Sequence, residues 1–314
     1  MTLQNRITAT LGVAYPILQA PMGWIARAQL AAAVSNAGGM GIIETSSGDI
    51  PAVRAEVEKM RDLTDKPFGM NIAQAFVRDP GIVNFVVDQG IKFVTTSAGD
   101  PAKYCAQLKA AGLTVFHVVP SLKAALRAVE CGVDGLVVEG GEGGGFKNPR
   151  EVATMVLLPL VCESVEVPVI AAGGMVDGRT MAAAFMLGAE GIQMGTRMVS
   201  AAESPVHPNW KNAILDAAET DTVFLNRFGP GPALRALRTE KTTVLEKEPP
   251  PNIMAAFGRA LDLYFGGDME AAIALTGQVA GRIHEIKPVG RIIDETVAEF
   301  RDVVARAAQT YAAR

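Results

Sequence analysis

The sequence predicts an α/β fold, a (β/α)8 or TIM barrel that is followed by a mostly helical C-terminal extension. Two observations lead to this prediction: the number of short apolar, β-prone segments and their spacing. The segments are continuous rather than alternating, as in parallel sheets covered on both faces. Successive segments start about 20 to 33 residues apart, which is room for a helix and two loops. The eight predicted strands are Pro16–Gln19, Gly39–Ile43, Pro67–Ile72, Ile91–Thr95, Thr114–Val119, Asp134–Val138, Val167–Ala171 and Gly191–Met194.

Each gap between these strands carries a helical pattern. The gaps are rich in alanine, repeat their apolar residues with a period near 3.6, and place glycine near their ends. A doubly wound open sheet has the same local patterns, so the number and spacing of the units favour the barrel over it. The predicted helices are Ala26–Asn36, Pro51–Leu63, Asp79–Gln89, Pro101–Ala111, Leu122–Cys131, Val152–Val165 and Arg179–Leu187.

The regular alternation of predicted strands and helices ends near residue 200. This change predicts a barrel over residues 1–200 and a lid or helical extension over residues 201–314. An amphipathic helix needs a surface to cover, so we expect the last helices to pack back on the barrel. Ala201–Pro208 is interpreted as a loop. The other elements predicted in the extension are a strand at Thr222–Arg227 and helices at Trp210–Glu219, Ile253–Leu263, Met269–Leu275 and Gly290–Tyr311.

The composition is typical of a compact intracellular enzyme. Of the 314 residues, 49% are hydrophobic and only 6% are aromatic, which indicates a large aliphatic core. The N-terminus lacks the pattern of a signal peptide and no apolar run is long enough to span a membrane, so we expect a cytoplasmic location. A net charge of -4 without a basic tract argues against a nucleic-acid partner. The three cysteines have no metal-like spacing and are expected to be reduced, and no metal site is predicted.

Two neighbouring predicted strands run directly into glycines. Val167-Pro-Val-Ile-Ala-Ala-Gly-Gly-Met175 is the seventh unit, and Gly191-Ile-Gln-Met-Gly-Thr-Arg197 is the eighth. Glycine lets the backbone N–H groups of a strand-to-helix turn approach an anion closely. In (β/α)8 barrels the loops after strands seven and eight frequently form a phosphate site. The sequence therefore predicts a phosphate site at these two turns.

Other strand ends also carry few side chains. The first strand ends in Gln19-Ala-Pro-Met-Gly-Trp24, and the sixth ends in Glu139-Gly-Gly-Glu-Gly-Gly-Gly-Phe146. Such a glycine run is expected where backbone passes close to a flat ligand, although a merely flexible loop has the same composition. Combined with the phosphate site, this pattern predicts a nucleotide-like cofactor across the mouth of the barrel.

Seven segments together make a specific set: Gln19–Trp24, Asn36–Gly41, Thr64–Asn71, Glu139–Gly145, Ala171–Gly174, Met194–Arg197 and Gly277–Gly281. In these segments the chain resembles the nitronate monooxygenase (2-nitropropane dioxygenase) superfamily, which includes flavin-dependent enoyl-acyl-carrier-protein reductases of type II. The resemblance covers nearly the whole chain.

The resemblance implies FMN as the cofactor, with its phosphate on Gly173, Gly174, Gly195 and Thr196. It also implies that Ala20, Pro21 and Met22 lie along the isoalloxazine ring, and that Asn71 and Glu139 contact the ring or the ribityl chain. The cofactor-binding residues expected in full are Ala20, Pro21, Met22, Gly23, Asn71, Glu139, Gly140, Gly144, Gly145, Ala172, Gly173, Gly174, Met194, Gly195 and Thr196.

One position departs from the family pattern. Where the family usually carries His directly after the glycine run, this chain has Phe146. A His there can act as general acid or base beside the flavin, whereas Phe offers only packing or stacking. Oxidation of a neutral nitroalkane requires removal of a carbon proton, so this activity is disfavoured. Oxidation of a nitronate that is already anionic does not strictly require such a base.

His117, at the end of the fifth strand, is the candidate acid–base group that replaces the missing His, and its alternative role is hydrogen-bonded packing. His207 and His284 are interpreted as non-catalytic. Trp24 and Phe146 are candidates for an apolar wall over the flavin, with core packing as the alternative for Trp24.

Glu142 and a pair of arginines are further candidates for binding a substrate. Glu142 either positions a substrate or is a solvated loop carboxylate. Arg235 and Arg238 are three residues apart, which would place them on one helical face as a clamp for the phosphate of coenzyme A, acyl carrier protein or a nicotinamide dinucleotide. A solvated helix face is the alternative reading of this arginine pair.

These observations lead to one main functional hypothesis and two alternatives. The main hypothesis is an FMN-dependent oxidoreductase that takes hydride from NAD(P)H and reduces an activated C=C bond, as in an enoyl thioester. The first alternative is a nitronate monooxygenase, which uses O2 and needs no nicotinamide. The second is a barrel that binds FMN or another phosphorylated ligand without turnover. The expected partners are a small-molecule or acyl-thioester substrate and a second copy of the chain in a homodimer, with no membrane.

Overall fold

The computed structural model describes residues 3–47 and 49–312 and contains an eight-stranded parallel barrel, which confirms the predicted fold class. The predicted strands at Thr114–Val119 and Gly191–Met194 have the same bounds in the structure, and the other six shift by one or two residues at an end. The strands of the chain are β1 Ile17–Gln19, β2 Gly41–Glu44, β3 Phe68–Ala73, β4 Phe93–Ser97, β5 Thr114–Val119, β6 Gly135–Glu139, β7 Gly145–Lys147, β8 Val169–Ala172, β9 Gly191–Met194, β10 Thr222–Leu225 and β11 Ala233–Leu237.

The barrel closes through its first and last strands. Its strands follow the order β1-β9-β8-β6-β5-β4-β3-β2, and every paired neighbour is parallel. A parallel bridge between Leu18 and Met40 joins β1 to the start of β2 and completes the ring. Because all eight strands are parallel, their carboxyl ends and the loops that follow them meet at one face.

The helices form a layer around the barrel, and one of them closes its bottom. Ile7 and Leu11 of the first helix pack with Leu18, Phe93 and Phe116 in the inner cluster, so this helix plugs the amino-terminal face. The helices are α1 Arg6–Leu11, α2 Ala28–Asn36, α3 Ile50–Leu63, α4 Ile82–Asp88, α5 Cys105–Ala110, α6 Leu122–Glu130, α7 Thr154–Cys162, α8 Gly178–Met186, α9 Thr196–Val199, α10 Pro208–Leu215, α11 Glu240–Lys247, α12 Ala260–Tyr264 and α13 Val289–Ala307.

The last long helix completes the helical ring. Helix α13 packs against α8 and α2, the helices that follow β8 and β1, the two strands on either side of β9 in the barrel. Phe300 stacks edge-on against Phe185 of α8 at 5.1 Å, and the Glu299 carboxylate accepts a hydrogen bond from the Gly178 N–H. Residues 200–288 therefore form a long insertion between the eighth strand and its helix.

The insertion contributes two strands to a second, three-stranded antiparallel sheet in the order β10-β11-β7. Strand β7 belongs to the glycine run that follows β6, and Phe146 pairs with Leu234 of β11. The sheet therefore ties the loop after β6 to the insertion. Among the residues that the structure describes, no helix combines the length and apolar character needed to cross a bilayer.

Three predictions for the extension are wrong. Arg235 and Arg238 do not share a helical face, because Ala233–Leu237 is a fully buried strand held between β10 and β7. The helix predicted at Ile253–Leu263 is reduced to α12, since Gly258 adopts a φ of 97° ahead of it. The segment predicted as a helix at Met269–Leu275 begins as a turn and continues without helical structure, and Ile273 and Ala274 form backbone hydrogen bonds with Phe257 and Leu237 instead.

Candidate active site

A cavity of about 1100 Å³ opens at the carboxyl ends of the barrel strands. This volume is at the upper end of the range typical of sites for small molecules and cofactors, about 300–1000 Å³. Loops that follow the barrel strands form one side, and the insertion forms the other. The insertion contributes Trp210, Pro232, Met254, Phe257, Ala260, Tyr264, Leu275, Gly277 and Val279 to the wall.

The turns after β8 and β9 lie side by side in this wall, as the sequence predicts. Gly173 and Gly174 adopt φ angles of 81° and 82°, a left-handed conformation that favours glycine. A Cβ atom on Gly174 would meet no protein atom within 4 Å, so the space beside it is open. The hydroxyl of Thr196, which follows β9, accepts a hydrogen bond from the Gly277 N–H at 2.9 Å. The insertion is thus attached directly to the predicted phosphate site.

The glycine run after β6 is packed against the same two turns. A Cβ on Gly144 would lie 2.7 Å from the Gly277 nitrogen, and one on Gly173 would lie 2.8 Å from the Gly140 carbonyl oxygen. Real Cβ atoms do not approach backbone this closely, so these positions require glycine. Close approach of backbone, rather than loop flexibility, therefore explains this composition. Gly277 belongs to a segment that carried the family resemblance, yet the sequence did not identify it as a site residue.

An ion pair lies in the wall beside the glycine run. The Lys147 Nζ atom is 2.5 Å from the Glu139 carboxylate, and only 4% of the Lys147 side chain is exposed. Glu139 was predicted to contact the cofactor, whereas sequence reasoning missed Lys147. The sequence did contain an indication of this residue, because Lys147 directly follows Phe146, the position where the family usually carries His.

Phe146 lies in an aromatic cluster that joins the barrel to the insertion. Its ring centroid is 5.0 Å from that of Phe76 in the loop after β3 and 6.5 Å from that of Phe257 in the insertion. All three rings line the cavity. The ring contacts of Phe146 are thus with Phe76 and Phe257 rather than with Trp24.

His117 lines the cavity but is held as a buried neutral ring. Its Nδ1 atom is 2.7 Å from the Thr96 hydroxyl, and 3% of the residue is exposed. Burial lowers the pKa of His117 from 6.5 to about 4, although the Gly99 backbone and the Asp100 charge act in the opposite direction. At neutral pH His117 therefore carries no extra proton to give to a substrate.

A buried carboxylate organises the first two strand ends. Glu44 accepts hydrogen bonds from the backbone N–H groups of Trp24, Ser46 and Ser47 and lies 3.4 Å from Arg27. Trp24 adopts a φ of 63°, which is strained for a residue with a side chain. The Trp24 N–H also donates to the Ser47 hydroxyl at 2.8 Å, and these bonds hold the strained turn at the cavity wall. Sequence reasoning missed Glu44 because Trp24 and Arg27, the partners that tie it to the first strand end, are distant in sequence.

Two predicted substrate-binding residues are engaged by the protein itself. The Glu142 carboxylate lines the cavity but accepts hydrogen bonds from the Thr154 N–H and hydroxyl, so it caps helix α7. The Arg235 guanidinium lies outside the cavity wall. It donates to the Gly141 carbonyl, the Thr222 hydroxyl and the Glu151 carboxylate. The structure thus gives both charges a role within the fold, where we had expected contact with a substrate.

Most of the other expected cofactor-binding residues are brought together in the cavity wall, but three lie behind it. Met194 is fully buried in the core, Gly140 packs against the Thr154 hydroxyl, and the Asn71 amide donates to the Thr95 hydroxyl at 2.9 Å. The expected residues that line the cavity are Ala20, Pro21, Met22, Gly23, Trp24, His117, Glu139, Glu142, Gly144, Gly145, Phe146, Ala172, Gly173, Gly174, Gly195 and Thr196.

Gln193 of β9 is a polar wall residue that the sequence did not single out. It is 6% exposed, and its Oε1 atom has no hydrogen-bond partner within the described chain. An unpaired buried oxygen is costly, so such a group in a cavity wall fits a ligand that donates a hydrogen bond. Together with the glycine turns, Gln193 gives the cavity a polar base that suits a phosphorylated ring cofactor.

Comparison with known proteins assigns this geometry to a family. The model of the nitronate monooxygenase family matches residues 4–80 and 73–299. The chain belongs to the nitronate monooxygenase family. Its relatives are named as enzymes of oxidation and reduction, so it is an oxidoreductase, and the alternative of a barrel without turnover is wrong.

Three sequence relatives of this family member illustrate the range of names. One relative is a (3aS,4S,5R,7aS)-5-hydroxy-7a-methyl-1-oxo-octahydro-1H-indene-4-carboxyl-CoA dehydrogenase from Rhodococcus jostii, to which the chain is 37% identical over 245 residues. This match covers 78% of this chain and 69% of the relative. The protein of the same name from Mycobacterium tuberculosis is 38% identical, and this match also covers 78% of this chain and 69% of the relative. A probable nitronate monooxygenase from Staphylococcus haemolyticus is 31% identical over 76% of this chain and 80% of the relative.

Two solved structures have the same fold as this chain. FabK from Thermotoga maritima is 40% identical, with a TM-score of 0.92 over 98% of this chain and 99% of that one. The nitroalkane oxidase from Streptomyces ansochromogenes is 23% identical, with a TM-score of 0.83 over 96% and 99% of the two chains, and supports the fold alone.

We expect the buried ring of His117 to make stability depend on pH. Unfolded His binds a proton below pH 6.5, whereas folded His117 does so only near pH 4, so stability falls as the pH drops through this window. Between pH 7 and pH 4.5 the wild type should lose about 2 kcal/mol more unfolding free energy than His117→Asn. Urea unfolding at several pH values measures this difference. The exposed His284, replaced in the same way, is the control. Parallel curves for the wild type and His117→Asn would contradict the assignment.

Proposed function

We propose that the cavity binds FMN, with the phosphate at the turns after β8 and β9. The observation that carries this proposal is the pair of glycine turns at Gly173, Gly174 and Gly195, whose neighbour Thr196 is bonded to Gly277. Open space beside Gly174 leaves room for an anion, and close-packed backbone surrounds it. Backbone N–H groups at such turns bind phosphate without a basic side chain.

The rest of the cavity fits the flavin ring. Ala20, Pro21 and Met22 offer an apolar edge without charged side chains, Glu139 lies at the end of β6, and Gln193 offers an unpaired oxygen. Bound FMN would supply a carrier that accepts hydride from one substrate and passes it to another. The protein residues would hold the ring, exclude water and orient the two substrates over it.

Replacement of Gly174 by Ala tests the phosphate site. The new methyl group would meet no protein atom, so the variant should fold, but it would occupy the open space proposed for the phosphate. We expect the dissociation constant for FMN to rise at least about tenfold, equivalent to about 1.4 kcal/mol.

Gly112→Ala is the matched control. Gly112 has a φ of 77° and equally open surroundings, but it lies between α5 and β5 at the opposite face of the barrel. Its variant should carry the same backbone strain and bind FMN as the wild type does. Equal FMN affinity of the two variants in a fluorescence titration would argue against a phosphate at Gly174.

For the reaction, we propose that the enzyme uses NAD(P)H to reduce the activated C=C bond of an acyl thioester. Two relatives that are 37% and 38% identical carry a carboxyl-CoA in their names, which supports a thioester as substrate. The cavity is large, and Phe76, Phe146 and Phe257 give it an apolar side that suits an acyl chain. Hydride addition creates an enolate, and backbone N–H groups of the glycine run could stabilise its oxygen.

Oxidation of alkyl nitronates with O2 is the second candidate. The matching family model and the relatives from Staphylococcus favour it. Phe146 supplies no base in this chain, but a nitronate is already an anion and does not strictly need one. The preferred substrate of this second activity would be the nitronate rather than the neutral nitroalkane.

Anaerobic stopped-flow absorbance separates the two candidates. We expect NADH or NADPH to bleach the flavin, and crotonyl-CoA, a short enoyl thioester, to restore its colour. Bleaching by propyl nitronate with none by either nicotinamide would contradict the reductase and support the second candidate. A reduced flavin that crotonyl-CoA and longer enoyl thioesters fail to reoxidise would rule out the proposed acceptor.

A further inference from the structure

The proposed reduction needs a proton as well as a hydride. When hydride adds to Cβ of an enoyl thioester, the electron pair of the C=C bond moves towards the thioester oxygen and forms an enolate. A proton must then form the new bond at Cα. The family resemblance assigns an acid–base role to a His at the position that Phe146 occupies here, so this chain must obtain the proton elsewhere.

We propose that Lys147 is the acid that protonates the substrate. This inference rests on the proposed reductase function and assigns a residue to its second step. The Nζ–H bond of Lys147 would break as the Cα–H bond forms, which leaves a neutral amine. Water from the open cavity then returns the proton to the amine, so that the nicotinamide supplies the hydride and solvent supplies the proton.

The surroundings of Lys147 support this role. Its Nζ atom is buried in the cavity wall and lies 2.5 Å from the Glu139 carboxylate. An ammonium group has three donors, and Glu139 is its one hydrogen-bonding acceptor in the described chain. Two donors are therefore left for water or for an oxygen of the substrate. A buried charge with spare donors is costly unless a ligand uses them.

Gly143 lines the cavity directly beside the ion pair. A Cβ on Gly143 would lie 2.8 Å from the Lys147 Nζ and 2.7 Å from the nearer Glu139 oxygen. Any side chain there would therefore cover or displace the ion pair. Glycine at this position therefore leaves the Lys147–Glu139 ion pair uncovered by a side chain.

The histidine, tyrosine and arginine side chains of the wall are poorer proton donors. His117 is neutral at pH 7, because burial lowers its pKa to about 4. Burial raises the pKa of the Tyr264 phenol above its usual value, which weakens it as an acid. The Arg78 and Arg127 guanidinium groups do not release protons in proteins. Among the wall residues that the structure describes, Lys147 is the one ammonium group.

Two substitutions separate proton transfer from charge. Lys147→Met keeps the length of the side chain and removes the ammonium, whereas Lys147→Arg keeps the charge and the donors but cannot give up a proton. Lys211→Met is the matched control, because Lys211 is also buried but donates to the Ala202 and Ser204 carbonyls outside the cavity. It reports the effect of losing a buried lysine on folding alone.

The experiment follows the two half-reactions of the FMN-loaded proteins by anaerobic stopped flow. We expect NAD(P)H to reduce both Lys147 variants, and the reduction rate of each variant is the reference against which its reoxidation is compared. Reoxidation by crotonyl-CoA should slow about 10²- to 10³-fold in both, which is the usual effect of losing a general acid. The Lys211 variant should retain both rates.

Calorimetric binding of butyryl-CoA, the saturated product, to the oxidised proteins gives a readout independent of turnover. We expect about tenfold weaker binding to Lys147→Met, because a charged hydrogen bond to the thioester oxygen is lost, and near wild-type binding to Lys147→Arg. If Lys147→Met does not fold, Lys147→Arg alone decides the question.

The outcomes that overturn the proposal are distinct. Wild-type reoxidation rates in either variant would show that Lys147 is not the proton donor, even if the reductase function holds. If Lys147→Arg is as fast as the wild type while Lys147→Met is slow, the residue acts through its charge. If the wild type itself is reduced but crotonyl-CoA does not reoxidise it, the proposed function fails first, and the role of Lys147 fails with it.

Discussion

Close backbone contact among three loops is the constraint on which the rest of the site depends. The loop after β6, the turn after β8 and the Gly277 segment approach so closely that a Cβ on Gly144 or Gly173 would collide with backbone atoms. Parallel closure of the barrel brings the strand ends to one face, and glycine lets them meet there. The packing leaves open space beside Gly174, where the proposed phosphate fits.

Charged side chains hold the walls of the cavity in place: Glu44 and Arg235 are buried, and Glu142 is half-buried. Glu44 organises the loops after β1 and β2, Glu142 caps α7, and Arg235 joins the Gly141 carbonyl to Glu151. A buried charge costs free energy unless it is fully bonded, so these groups fix one arrangement of the loops. Lys147 differs, because it lines the cavity and has two donors that no described residue uses, whereas the Arg235 guanidinium lies outside the cavity wall. This contrast separates charges that build the wall from a charge that is available to a substrate.

The sequence predicted the barrel and its glycine turns well, because both depend on local patterns. Apolar runs between glycines identified all eight barrel strands, and Gly173 and Gly174 lie at the predicted turn. Ala233–Leu237 was misread because arginines three apart suggest a helix, whereas pairing with two distant strands decides its conformation. Helix α13 follows the insertion in sequence but completes the barrel ring in space. The roles of Glu44, Lys147 and Gln193 likewise depend on distant partners or on the cavity, which periodicity does not report.

The central claim is that backbone amides at the turns after β8 and β9 bind the phosphate of a flavin. The most direct test is a fluorescence titration of cofactor-free protein with FMN and, separately, with riboflavin, which lacks the phosphate. Two hydrogen bonds to a charged group are worth about 3 kcal/mol or more, so FMN should bind at least about 100-fold more tightly. Equal affinity for the two flavins would contradict the account.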